Sequence, residues 1–332
     1  MDPNREKRKI KVGIIGCGGI STAHIKRLRS LPQIELSGFA DTNRKAALSL
    51  KEEFIGKNKD DSLVFTDYKE MIERCHLDAV GIFTPHTLHF SQCLYSLEKG
   101  LHVLVEKPMT TEVSHAEKLI NKAKEKNKVL LVAYQRHYQP IFLYAKKVIE
   151  EGKLGEIKFI SASLAQEWRS LSDNTWRQNP QLSGGGQLMD SGSHLIDITL
   201  WLTELEPKEV FAFVDKQELK VDIFSSFSIK FKNGALASIA ISGDAPGWYE
   251  NLSIWGSEGA LFFQEGKVYH QLSNGDIYQP SHLPSSSDPD TNFIRAILGK
   301  EKVHSPGECG LKVIRLTKAI YKSGRKGQKV AL

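Results

Sequence analysis

The chain has 332 residues, 40% apolar and 25% charged, with 45 basic against 39 acidic side chains and a net charge of +6. That length suits two domains, and no apolar run reaches the ~18 residues of a membrane span or the pattern of a secretory signal. Much of the charge lies in Arg5–Lys11 and Lys322–Lys329, which read as solvated, disordered ends and not as a nucleic-acid arm.

In chain order, the first ~135 residues alternate short apolar runs with amphipathic stretches, the pattern of a parallel sheet wound with helices. Lys11–Gly16 reads as a buried strand, Ile20–Ser30 as a helix, Ile34–Asp41 as a strand and Lys45–Phe54 as a helix. Leu77–Thr84 is the next strand, with a helix running through Lys99. Leu101–Pro108 is another, and Lys128–Tyr134 closes the series after a helix at His115–Lys126. Pro140–Glu151 predicts a connecting helix. From Ile157 onward, strands separated by short turns imply an open, largely antiparallel sheet. Pro284–Asp290 reads as a surface loop, and Asn292–Leu298 and Glu308–Ser323 return to helical spacing. The expected organisation is a parallel α/β domain at 1–135 and an α+β domain at 136–332, with its last helix returning.

Gly16, Gly18 and Ser21 occupy the G-x-G-x-x-G positions, after a strand and opening a helix. Gly16 permits a tight turn and Gly18 lets a pyrophosphate approach. The helix start at Gly19 and Ile20 offers backbone amides. Asp41 ends the second strand, 23 residues after Gly18, where an acid binds ribose hydroxyls and disfavours a 2′-phosphate. NAD is therefore expected, and nearby Arg44 and Lys45 leave NADP open. Alone, such a loop is weak evidence.

The next strand ends carry Thr84, Pro85, His86 and His89, then Glu106 and Lys107. Ligands gather at such ends. The two histidines resemble metal spacing but lack a third ligand, so polar loop and cap roles are preferred and no metal is expected. Lys107 could steady a reacting oxygen or be a solvated strand-end charge; the residue alone leaves both open. Cys17, Cys75, Cys93 and Cys309 form no CxxC pair and read as reduced thiols of a cytoplasmic protein.

The segment Gly184–Asp197, GGGQLMDSGSHLID, looks like a helix. With Asp190 at 0° and about 100° per residue, His194 falls at about 40°, Asp197 near −20° and Trp201 near 20°, one polar stripe on a helix otherwise apolar. A carboxylate and an imidazole buried there need partners. A structural Asp–His pair and a catalytic pair both satisfy that requirement.

Together GCGGIS, EKP and TWRQNPQLSGGGQLMDSGSHLIDI resemble the Gfo/Idh/MocA family of NAD(P)-dependent oxidoreductases, nearly end to end. The resemblance implies a Rossmann domain, an open sheet domain and hydride transfer between nicotinamide and a secondary hydroxyl of a sugar or polyol. It implies Lys107, Asp190 and His194 as catalytic residues. His194 would be the general base, Lys107 would stabilise charge on the oxygen, and Asp190 would hold a hydroxyl or orient His194. It also implies that Pro108 often follows a cis bond, and that the chain is a homodimer or homotetramer. Gln166, Trp168, Arg169, Trp176 and Arg177 precede the helix and are substrate candidates, with packing an equal reading for the tryptophans. Ser21 in place of glycine, and His137 where relatives often carry arginine, are departures. Asp197 is left structural. Other activities of the fold are a dinucleotide-sensing regulator and a glycosidase that cycles its NAD internally. No nucleic-acid or membrane partner is expected.

Overall fold

The computed structural model describes residues 8–57 and 61–332, so Arg5–Lys7 of the basic N-terminal run lie outside the described residues. Two compact units emerge. One comprises the described residues through Thr110 together with Ser114–Ala133 and Ser287–Glu308, and the other comprises Thr111–Val113, Tyr134–Ser286 and Cys309–Leu332.

The first unit is built on a parallel sheet of β1 (Ile10–Ile15), β2 (Ile34–Ala40), β3 (Val64–Phe65), β4 (Ala79–Ile82), β5 (His102–Val105) and β6 (Leu130–Val132). Among the described residues the order is β3-β2-β1-β4-β5-β6, with every pairing parallel. Helices α1 (Gly19–Arg29), α2 (Arg44–Ile55), α3 (Tyr68–Arg74), α4 (His89–Glu98) and α5 (Val113–Glu125) follow successive strands. Such strands are covered on both faces, which is why they read as continuous apolar runs; Val12, Ile14, Val80, Ile82, Val103 and Val105 are fully buried. The two-residue β3 and the helix after it are additions to the sequence expectation. Asn43 and Asp67 cap α2 and α3 by accepting from Lys45 N and Lys69 N.

Ser287–Glu308, grouped on chain order with the second half, belongs to this first unit. Phe293 and Ile294 join the core cluster that holds Val12, Phe39, Leu104 and Leu131.

In the second unit, α6 (Pro140–Glu150) precedes β7 (Ile157–Ala165). The short helices α7 (Trp168–Leu171) and α8 (Pro180–Ser183) come before α9 (Gly192–Thr203). The strands then run β8 (Pro207–Asp215), β9 (Phe224–Phe231), β10 (Leu236–Ser242), β11 (Tyr249–Gly256), β12 (Ala260–Gln264), β13 (Lys267–Gln271), β14 (Ile277–Tyr278) and, near the C-terminus, β15 (Val330–Ala331). Their order is β14-β13-β12-β11-β7-β10-β9-β8-β15, antiparallel except for β10 against β7. Period-two patterning is clear in β9 and β10. Phe227, Ile229, Ala237 and Ile239 turn inward, while Ser226, Ser228, Ser238 and Ala240 turn out.

Two tail helices complete the chain, α10 (Pro289–Ile297) and α11 (Gly307–Lys326). Asp288 caps α10 at the end of the exposed 284–287 stretch, accepting from Thr291 N. The basic run at Lys322–Lys329 is exposed at most positions, yet it is ordered: Lys322, Arg325 and Lys326 lie within α11. No helix of the described residues is long and apolar enough to cross a membrane.

Candidate active site

In the first unit the glycine loop joins β1 to α1. Gly16 has φ +89°, and a Cβ there would lie 2.7 Å from the Phe83 backbone, so only glycine turns here. At Gly18 and Gly19 a Cβ would meet nothing within 4 Å, which leaves open space before the amides of α1. The first turn of α1 carries no acid, and Ile20 is 46% exposed beside it. An uncluttered helix N-terminus of this kind accepts a pyrophosphate, so the loop fits a dinucleotide. Ser21, the departure from glycine, is fully buried and donates its hydroxyl to the Gly18 carbonyl at 2.5 Å, so its side chain closes on its own turn.

Asp41 follows β2, with its carboxylate accepting from the backbone amides of Cys17 (2.8 Å) and Asn43 (2.8 Å). That fixes it against the glycine loop, and further lone pairs remain for ribose hydroxyls. Burial and the Asp41 charge push the Cys17 thiol up to about 12. Arg44 opens α2, half exposed and 4.0 Å from Asp61.

At the next strand end, the Thr84 hydroxyl donates to Gln92 Oε1 at 2.5 Å. Pro85 leads into a short turn of helix containing buried His86. His89 is fully buried, with its ring nitrogens 2.8 Å from the carbonyl oxygens of Thr84 and Pro108. It clamps two strand-end loops together. His86 and His89 rings pack edge to face at 6.0 Å. The three-residue set among the described residues that could hold a metal lies elsewhere, at His137, Asp197 and Cys309. Within it His137 Nε2 and Asp197 Oδ2 are already hydrogen-bonded at 2.8 Å.

Glu106 and Lys107 follow β5, and the Lys107–Pro108 bond is cis. The Glu106 carboxylate is engaged on both oxygens. Its Oε2 accepts from the Lys107 amide at 3.0 Å, and its Oε1 lies 2.8 Å from His24 Nε2. His24 also bonds Asp290 through Nδ1 at 2.8 Å, and Asp290 accepts from Arg27 Nε at 2.5 Å. Burial disfavours the charged ring, but Asp290 and Glu106 outweigh it and push the His24 pKa up to about 9. His24 and Asp290 were not anticipated. The available signal was a histidine on the same helix as buried Ile25 and Leu28.

The second unit holds the remaining candidates, and here the expected helix needs correction. Gly184–Ser191 is not helical, and α9 starts at Gly192, so Asp190 lies in the preceding turn and not on a stripe with His194. The three glycines are explained by crowding. A Cβ on Gly186 would sit 1.9 Å from the Asp222 carbonyl oxygen. Buried Asp222, also unforeseen, then accepts from Gly186 N (2.7 Å), Leu188 N (2.8 Å) and the Tyr321 hydroxyl (2.6 Å).

Asp190 is buried, and its Oδ2 accepts from Trp168 Nε1 at 2.9 Å and Arg177 Nε at 3.0 Å. Trp168 packs with Val221 and Ile223, so it is a core residue that reaches the site through Asp190 and presents no open face to a sugar. The Arg177 guanidinium stacks over the half-buried Trp176 ring at 4.6 Å. Arg169 pairs with Asp244 at 3.0 Å. Gln166 Oε1 is buried with no hydrogen-bond partner among the described residues. Half-buried His194 and Ser191 line a cavity of about 470 Å³, and the His194 ring lies edge-on to Tyr134 at 6.3 Å. Asp197 pairs with fully buried His137, which stacks on Trp201 at 4.3 Å. That pair anchors α9 and accounts for both residues.

Comparison with known proteins gives a consistent picture. The oxidoreductase family, NAD-binding Rossmann fold, matches residues 10–134, and the GFO/IDH/MocA C-terminal domain matches residues 142–262. The NADP+-dependent scyllo-inositol 2-dehydrogenase of Bacillus subtilis is 32% identical over 240 residues, covering 72% of this chain and 64% of that protein. Levoglucosan dehydrogenase of Pseudarthrobacter phenanthrenivorans is 25% identical over 292 residues, covering 77% of this chain and 74% of that protein. The crystal structure of aldose-aldose oxidoreductase from Caulobacter crescentus superimposes with a TM-score of 0.87 at 23% identity, covering 98% of this chain and 100% of that one.

Proposed function

Because the chain belongs to the Gfo/Idh/MocA family of NAD-binding oxidoreductases, we propose that it oxidises a secondary hydroxyl of a sugar or polyol to the carbonyl, reversibly. The observation that carries this reading is a half-buried imidazole, His194, on the wall of a cavity of about 470 Å³ that Ser191, next in the chain to buried Asp190, also lines. The relatives named for inositol and levoglucosan oxidation support the substrate class.

Gly16, Gly18 and the first amides of α1 would hold the pyrophosphate, and Asp41 the adenosine ribose, which favours NAD over NADP. When bound, the nicotinamide supplies the hydride acceptor. His194 takes the hydroxyl proton as general base. Lys107, positioned by Glu106 through its own backbone amide, contributes positive charge to the reacting oxygen. Asp190 draws Arg177 toward the site and accepts or orients a neighbouring hydroxyl. In the reverse direction the same groups polarise a carbonyl and return the proton.

A homodimer or homotetramer formed through the outer face of the second sheet accompanies this reading. Phe213 is 70% exposed there, beside Phe211. None of the four cysteines is joined in a disulfide, which supports a reducing, cytoplasmic location. The test is a panel of hexoses, pentoses, inositols and sugar acids, read by nicotinamide absorbance with NAD+ and NADP+. Reduction by at least one sugar or polyol is expected, and silence across the panel with both cofactors overturns the assignment.

A further inference from the structure

The cavity that His194 lines extends well beyond the imidazole. It runs from Ser191 and His194 along α6 to the ends of β11, β12 and β13. At about 470 Å³ it falls among sites of roughly 300–1,000 Å³ that enclose drug-sized ligands, and a single hexose of about twelve non-hydrogen atoms leaves much of it open.

Two features describe what the extra space accepts. The first is aromatic. Trp248 is 62% exposed and Tyr249 is 44% exposed, both on the cavity lining. Exposed tryptophan is an expensive surface for a protein to keep, and its face suits the C–H side of a pyranose ring. The second is electrostatic. The charged side chains of the lining are Arg136, Lys267, Glu250 and Glu265, two of each sign. Arg136 is spent on Glu250 in a two-pronged pair, Nη1 to Oε1 and Nη2 to Oε2, the latter 2.7 Å. Both partners are largely buried, with side chains 9% and 18% exposed. An arginine closed in this way is no clamp for a carboxylate or a phosphate. The lining also carries the exposed amides of Gln139 and Gln264, able to bond hydroxyls.

We propose that this cavity is an extended subsite for an uncharged second sugar ring, so that the physiological substrate is a neutral glycoside or disaccharide, with Trp248 as the stacking platform. The proposal rests on the redox reading for the reacting ring, but not for its own test.

Binding is measured first, by calorimetry on the full chain with NAD+ present, using glucose, cellobiose, maltose, lactose and glucuronic acid as probes. At least one disaccharide should bind tenfold or more tighter than glucose, with no gain for glucuronic acid. In W248A that ratio should fall to near one, while W248F keeps part of it. Equal binding of glucose and all three disaccharides overturns the subsite, as does an unchanged ratio in W248A. If W248A instead changes only the oligomer mass, the tryptophan is a subunit contact and the proposal fails. Turnover separates the two levels. Preferential disaccharide binding without cofactor reduction would sink the dehydrogenase reading and leave the subsite standing. Sugar oxidation with no glycoside preference would do the reverse.

Discussion

Replacing His24 with glutamine should remove a pH-dependent share of the first unit's stability. The imidazole, on α1, is almost fully buried, with Asp290 and Glu106 each 2.8 Å from a ring nitrogen, Arg27 completing the Asp290 pair and Phe83 stacked at 4.4 Å. The gap between a native pKa of about 9 and the ordinary 6.5, at about 1.4 kcal/mol per pH unit, is worth roughly 3 kcal/mol. The native ring holds a proton that the unfolded chain has lost. The contribution is therefore complete below pH 6.5, declines as pH rises, and is gone once the folded pKa near 9 is passed. Urea unfolding of wild type and H24Q at pH 6 and pH 9.5 should show a stability gap that narrows by about 3 kcal/mol. All five tryptophans lie in the second unit, so far-UV circular dichroism must accompany fluorescence to detect the first unit's transition. A gap equal at both pH values would refute a charged, doubly paired His24.

The other expectations are narrower. Lys107→Ala and His194→Ala should each lower kcat at least about a hundredfold while NAD binding by calorimetry stays near normal; near wild-type rates in both would void the catalytic assignment. Asp41→Ala should weaken NAD more than NADP, and an unchanged ratio of dissociation constants removes the ribose role. Gly186→Ala places a methyl 1.9 Å from the Asp222 carbonyl, so it should cost at least about 3 kcal/mol in urea unfolding or prevent folding. A cost under about 1 kcal/mol would show that the loop relaxes freely.

Legibility in the sequence followed the physics of each element. The central strands of the first unit announced themselves because a parallel sheet covered on both faces demands unbroken apolar runs. β9 and β10 did so because one face is solvated. β3 is two residues long and leaves no periodic trace. The Gly184–Asp190 segment misled because a wheel assumes helical phase. What prevents a helix there is tertiary: Asp222, 36 residues beyond Gly186, takes two of its backbone amides. The same holds for His24 and Asp290, 266 residues apart. Individual site residues could be named from local motifs, but the partners that fix them could not. The motif EKP marks Glu106, but its bond to His24, 82 residues away, is set by the fold.

The central claim is direct hydride transfer from a carbinol carbon of a sugar or polyol. The measurement that tests it most directly uses the best substrate of the panel, deuterated at its reacting carbon, with NAD+ and mass analysis of the reduced cofactor. The account predicts one deuterium carried into the nicotinamide for each carbonyl formed. Reduced cofactor without label, or sugar product without any cofactor reduction, would contradict it.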